Sequence, residues 1–178
     1  MSEDFRKKDG AYHHGDLKSA LIEAASVILE TRGADALTLR EAARRAGVSE
    51  AAPYRHFPDK AALIDAVVEQ SLTALVEDVS AAMSPFAGEG RRALEAGAGA
   101  MLAFAFGQSG RYRLLFLPRS EPQARFHEIV ALFAAEAPSL SAARHLWAAI
   151  HGAAVLVLTG QISQSQAQEI ARTALAQN

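Results

Sequence analysis

Cysteine is missing from this chain, so disulfides, thiolate zinc sites and cysteine nucleophiles are excluded. Runs of Val, Ile and Thr are scarce and alanine is abundant, a balance that favours helices over strands. Charge of one sign is also missing: the formal net charge is −2, which by itself does not announce nucleic acid. No apolar segment follows the charged start MSEDFRKKDGAYHHGD, so it does not read as a secretory signal. The longest uncharged stretch lies between Arg144 and Glu169, interrupted by His145, His151, Gly160 and Gln161. Its apolar part is too short for a bilayer and reads as a buried helix. The expectation is a soluble, cytoplasmic protein with no membrane partner.

What is present is enough apolar material for a core, 50% of 178 residues, which argues against disorder. That length holds one ordinary domain, or a small one joined to a larger. The four lysines, Lys7, Lys8, Lys18 and Lys60, all fall within the first 60 residues. Between Thr38 and Lys60 five basic residues face three acidic ones, a mild basic bias.

Residues 1–15 read as a polar arm containing RKK and YHHG. From Asp16, an expected N-cap, Leu17, Leu21, Ala24, Ala25 and Ile28 form a helical stripe that Gly33 closes. Thr38 and Glu41 match a capping box opening a short second helix, and Gly47 supplies the turn after it. Ser49 is the expected cap of a third helix running to Phe57, and Asp59 of a long fourth. Pro85, Gly88 and Gly90 mark a composition break; beyond it, helices are expected near 91–107, 111–117, 122–136, 140–158 and 163–177. The fold class is all-α, with an N-terminal three-helix unit containing a helix-turn-helix.

The segment SEAAPYRHF, Ser49 to Phe57, carries the chemistry. At about 100° per residue, an inward Pro53 puts Phe57 about 40° away, also inward, and turns Ala51 and Arg55 outward. Ala52 and Tyr54 flank them. Pro53 biases Ala52 away from helical geometry, so a distorted or late-starting third helix is expected. A surface bare except for alanine methyls can approach base edges, and Arg55 can donate twice to a guanine. Thr38, Arg44, Ser49, Tyr54, His56 and Lys60 suit phosphates, and Arg6, Lys7 and Lys8 could follow the adjacent minor groove. Glu50 fits only if it accepts from a cytosine amine.

Residues 12–65 resemble the DNA-binding domain of the tetracycline-repressor (TetR) family, through YHHGDLKSALIEAA and GADALTLREAARRAGVSEAAPYRHFPDKAAL. Thr38, Ala43, Gly47, Val48, Ser49, Tyr54, His56, Phe57, Lys60 and Leu63 match its pattern; Pro53 departs from it. Further on, WAAIHG and RYRLLF are similar to one branch with a Trp-x-x-x-His-Gly C-terminal domain. The resemblance implies a homodimer that binds a two-fold operator, usually represses, and responds to an unknown small-molecule effector. No acid/base, nucleophile or ligand cluster appears at useful spacing, so neither a cofactor nor enzymatic activity is expected. The expected organisation is an arm at 1–15, a helix-turn-helix domain at 16–60 and a helical regulatory and dimerisation domain at 61–178.

In that body Met101, Phe104, Tyr112, Phe116, Trp147 and His151 are candidates for a ligand cavity. The run AGAGAMLAFAFG, Ala96 to Gly107, fits either a cavity wall or close helix packing. Ala153, Ala154, Val157, Leu158 and Ile162 are candidates for a dimer interface built as a four-helix bundle. The competing class is a helical small-molecule or metal-binding protein, or an enzyme, without DNA binding. His145 and His151 are six apart, poorly spaced for two ligands on one helix face. His13 and His14 in the arm suit solvent or phosphate better than a metal.

Overall fold

A computed structural model describes residues 14–116 and 126–177, without the side chains of 14–16 and 126. Residues 1–13 of the arm and the start of the helix expected near 122 lie outside the described residues, and residues 14–15, expected in the arm, belong to the first helix. Eight α-helices appear among them: α1 (His14–Arg32), α2 (Leu39–Arg45), α3 (Lys60–Met83), α4 (Arg91–Gly107), α5 (Ser109–Leu115), α6 (Phe126–Ala134), α7 (Leu140–Leu158) and α8 (Gln164–Ala176). The described residues contain no strand.

Local chemistry sets most boundaries. Thr38 Oγ1 accepts from Glu41 N at 3.0 Å, and Asp59 Oδ1 accepts from Ala62 N at 2.8 Å. Ser139 caps α7, and Ser163 forms a full capping box with Gln166. Each side-chain oxygen satisfies a first-turn amide that has no partner inside its own helix. Gly33 and Gly47 end α1 and α2 at φ 79° and 71°, a region closed to most side chains. Asp16 is not a cap, because α1 already starts at His14.

The core runs unbroken from Leu21, Ile28 and Leu37 through Leu63, Leu72 and Leu75 to Met101, Phe133, Leu146 and Ile150. The 24-residue α3, about 36 Å long at 1.5 Å per residue, joins the first helices to the body. The break at Pro85 to Gly90 is a tight turn between α3 and α4, two of the most extensively packed helices. Glu136 holds that turn by accepting from Gly88 N at 2.8 Å and Gly90 N at 3.0 Å.

Gly97 lets α4 lie close to its neighbours. A Cβ there would meet Met83 Sδ at 2.7 Å and the Phe133 ring at 2.8 Å, and Phe133 is fully buried. Close packing therefore explains this glycine; Gly99, two residues on, is exposed. Gly97→Ala gains helix propensity of about 1 kcal/mol but overpacks the core by about 1–3 kcal/mol. Thermal unfolding should show a small net loss for alanine and a much larger one for Gly97→Leu.

The α7 helix passes the composition test for a membrane span, with 19 residues and a mean hydropathy of 1.2. That corrects the sequence expectation on length. One face of it, Ala142, Ala143, Leu146, Ile150, Ala153 and Ala154, is buried inside the chain.

Candidate nucleic-acid interface

The α2 helix, the turn after it and the segment that follows, up to Arg55, form the helix-turn-helix. The expected third helix is reduced to a single 3-10 turn, Ala52–Arg55. In an α-helix capped at Ser49, the donor to the Ser49 carbonyl would be the nitrogen of Pro53, which has no hydrogen. Ala52 N takes that carbonyl instead, at 3.0 Å, closing a tighter turn. Ser49 thus serves through its backbone carbonyl, and no side chain caps the turn. The late, distorted start expected from Pro53 is what the structure shows.

Pro53 and Phe57 are buried, and Phe57 N donates to the Pro53 carbonyl at 2.9 Å. Ala51, Tyr54 and Arg55 are exposed, Tyr54 at 54%, while Ala52 and His56 are half-buried. The outward surface therefore offers a methyl, a phenol and a guanidinium over an apolar plug.

Polar neighbours order the rim. Glu41 is the hub: its carboxylate accepts from Arg44 Nη2 at 2.6 Å and Nε at 3.0 Å, and from Arg32. The two guanidiniums, Arg44 foremost, hold the Glu41 pKa down at about 2, and Glu41 raises that of Arg44. Glu41 is committed to these arginines, so the second half of the capping box is not made. Arg44 keeps an exposed side chain, pinned rather than free to swing. A carboxylate with a depressed folded pKa adds stability that is complete above its ordinary value of 4.5 and disappears toward pH 2. Glu41→Gln should therefore lower stability at neutral pH and flatten the acid limb of a stability-against-pH curve between those values.

Glu50 has a partner in the protein: its carboxylate lies 3.6 Å from Arg40 Nε, both about three-quarters exposed. An exposed pair of this kind contributes little stability. It does bring Arg40, which the sequence reading did not single out, beside the recognition turn. The feature that could have found it is its place on α2, one residue before Glu41.

Lys60 has an acceptor within the protein as well. Its Nζ donates to the Ala34 carbonyl at 2.7 Å, tying the start of α3 to the turn before α2. An ammonium has three donors, so one is committed to holding the unit together. Lys60→Ala should lower the melting temperature, and it should flatten the salt dependence of DNA binding by less than one unit per half-site.

In the body, Tyr112, Phe116, Trp147 and His151 do come together. The His151 ring stacks on Trp147 with centroids 5.5 Å apart and lies 3.8 Å from that of Phe116. Tyr112 Oη and His151 Nδ1 are 3.0 Å apart. Burial pushes the Tyr112 pKa up and the His151 pKa down, so both groups favour their neutral forms. Met101 and Phe104 are buried in the core. Two grooves among the described residues lie elsewhere, one of about 400 Å³ between α4 and α8 and one of about 500 Å³ on the α7–α8 face. None of the six cavity candidates lines either.

Ala153 and Ala154 are buried within their own chain, 2% and 0% exposed, so they are not available to a partner. Low charge marked them in the sequence, but it cannot tell burial in one's own core from burial in an interface. Val157, Leu158 and Ile162 are half-buried, while Val155 and Leu156 of α7 and Ile170 of α8 are exposed.

Two family models match the chain. Residues 21–67 fit "Bacterial regulatory proteins, tetR family", and residues 94–177 fit "Tetracyclin repressor-like, C-terminal domain". Among curated proteins, the chain is 42% identical over 53 residues to the nucleoid occlusion factor SlmA of Vibrio campbellii, covering 29% of this chain and 27% of that protein. It is 43% identical over 56 residues to the class C tetracycline repressor of Escherichia coli, covering 32% and 26%. The chain thus spans only about a quarter of the length of these curated relatives. A solved structure from Rhodococcus sp. RHA1, described as of unknown function, aligns with TM-score 0.76 and 28% identity, covering 95% of this chain and 96% of that one.

Proposed function

Because the chain belongs to the TetR family of DNA-binding transcriptional regulators, we propose that it acts as a homodimer on a two-fold operator and is released by a small-molecule effector. The observation that supports this best is the recognition turn, with Pro53 and Phe57 buried and Ala51, Tyr54 and Arg55 exposed on one surface. A bare surface ending in a guanidinium fits the major groove, where arginine can donate to both O6 and N7 of guanine. Thr38, Arg44, Tyr54 and His56 border it and suit phosphate oxygens. The arm residues Arg6, Lys7 and Lys8 extend the basic rim in sequence, outside the described residues.

The second copy covers the exposed α7–α8 face, where Val155, Leu156 and Ile170 stand in water in a single chain. Exposed apolar surface of this kind is best buried in a symmetric contact, with α7 and α8 of each protomer forming a four-helix bundle. The effector enters beside the stacked His151, Phe116 and Trp147, and it must bind the two arrangements of the dimer with different affinity. The division into a reading domain at 16–60 and a regulatory domain at 61–178 belongs to the same reading, as does a soluble, cytoplasmic protein.

Selection of binding sites from random duplex DNA tests this. An enriched palindrome, with half-site centres about 34–36 Å apart, is expected. Enrichment of no sequence would leave the body's aromatic cluster without a DNA output and favour a sensor that acts through protein contacts.

A further inference from the structure

We propose that Glu30 is a positioning residue: its carboxylate clamps α5 to α1 and so sets the angle at which the recognition turn is presented to DNA. The inference rests on the dimeric operator reading above and adds the joint that fixes its geometry.

The α5 helix is short, and its first amides have no partner within it. Glu30, in the last turn of α1, supplies one. Its Oε2 accepts from Gly110 N at 2.9 Å and its Oε1 from Arg111 N at 2.8 Å, with Ser109 Oγ at 3.5 Å. A carboxylate accepting from two backbone amides at a helix N-terminus is a charge-assisted and directional contact. The Arg111 guanidinium, 17% exposed, adds a second tie, bonding Glu23 of α1 at 3.0 Å and Gln108 at 2.8 Å. Between these ties α5 lies directly on the backbone of α1: a Cβ on Gly110 would meet the Leu29 carbonyl oxygen at 2.8 Å.

The next turn of α5 holds the opposite side of the body. Tyr112 reaches His151, and Arg113 Nη2 donates to the carbonyl of Leu158, both on α7. Five consecutive residues, Ser109 to Arg113, therefore touch α1 on one side and α7 on the other. The α1 helix packs on α2, and α7 carries the exposed apolar residues Val155 and Leu156. A route from the dimer face to the reading surface runs α7–α5–α1, in parallel with the one along α3. Two routes hold an angle that one helix alone would leave free to swing.

The readout is tolerance of half-site spacing, which a merely structural role would not move. One inserted base pair shifts the half-sites by about 3.4 Å and turns one against the other by about 35°. Wild type, Glu30→Ala, Glu30→Gln and Arg111→Gln are each titrated against the site selected by wild type and against the same site with one central base pair added or removed. Wild type is expected to discriminate sharply. In Glu30→Ala that discrimination falls at least about fivefold, the lower end of typical coupling between sites, while base preference within the half-site stays the same. Glu30→Gln, which keeps one acceptor oxygen, falls between the two.

Unchanged discrimination in a folded Glu30→Ala, or equal weakening at every spacing, overturns the clamp. Should Glu30→Ala fail to fold, Glu30→Gln carries the test, since it removes the charge and one of the two acceptor oxygens; unchanged discrimination there also overturns the clamp, and Arg111→Gln reports only what the second tie adds. Failure of wild type to select any DNA is a different result, because it removes the operator reading itself.

Discussion

Arg55→Ala is expected to weaken operator binding by about 1–3 kcal/mol at each half-site, so by up to about 6 kcal/mol for a dimer bound at both. The loss should be concentrated at one base pair per half-site. Arg55 ends the recognition turn, is exposed, and stands on a turn that the buried Pro53 holds against the core. The guanidinium is thus presented from a rigid base, as bidentate reading of a guanine requires. Binding measured on the selected site, and on variants changed one base pair at a time, checks this. Equal weakening on all sequences would mean that Arg55 holds only phosphate.

Gly110→Ala is expected to destabilise the protein by about 3 kcal/mol, lowering the melting temperature by about 6–12 °C for a chain of this size. The new methyl would sit 2.8 Å from the Leu29 carbonyl oxygen and 3.0 Å from Glu30 Cα. These are backbone atoms in the middle of a helix end and have no rotamer to change. Either α5 lifts from α1 or the last turn of α1 opens, and each breaks the amides' contact with Glu30. Differential scanning calorimetry measures the loss. Gly99→Ala is the control, since nothing lies within 4 Å of the corresponding position and the gain in helix propensity remains.

The contrast between these two residues shows what the chain alone made legible. Pro53 announced itself, because the missing N–H and the restriction on Ala52 act within a few residues. The helix caps Thr38 and Asp59 were equally local. Gly110 carried no such signal: its constraint comes from Leu29, 81 positions earlier in the chain. The same holds for Lys60, whose partner is the Ala34 carbonyl, 26 positions away. A lysine at the start of a helix suggests phosphate until the fold supplies a nearer acceptor. Glu50 looked misplaced on a surface facing DNA because its partner, Arg40, sits on the preceding helix.

The candidate site divides along the same line. Residues of the recognition turn take their orientation from a local pattern, and the structure gives Pro53, Phe57, Ala51 and Arg55 the burial that pattern implies. The body depends on packing between elements far apart in the chain. Tyr112, Phe116, Trp147 and His151 converge there, while Ala153 and Ala154 turn inward and leave Val155 and Leu156 outside. A wheel drawn for α7 alone distinguishes its two sides but not which of them meets the rest of the chain.

Methylation interference tests the central claim most directly. Duplexes of the selected site are methylated sparsely at guanine N7, the acceptor that Arg55 is assigned to read, and sorted by binding. Depletion of one guanine per half-site from the bound fraction, at two positions related by the site's two-fold axis, is the predicted pattern. It should vanish in Arg55→Ala. Interference spread evenly over the duplex, or confined to one side of the axis, would contradict the account.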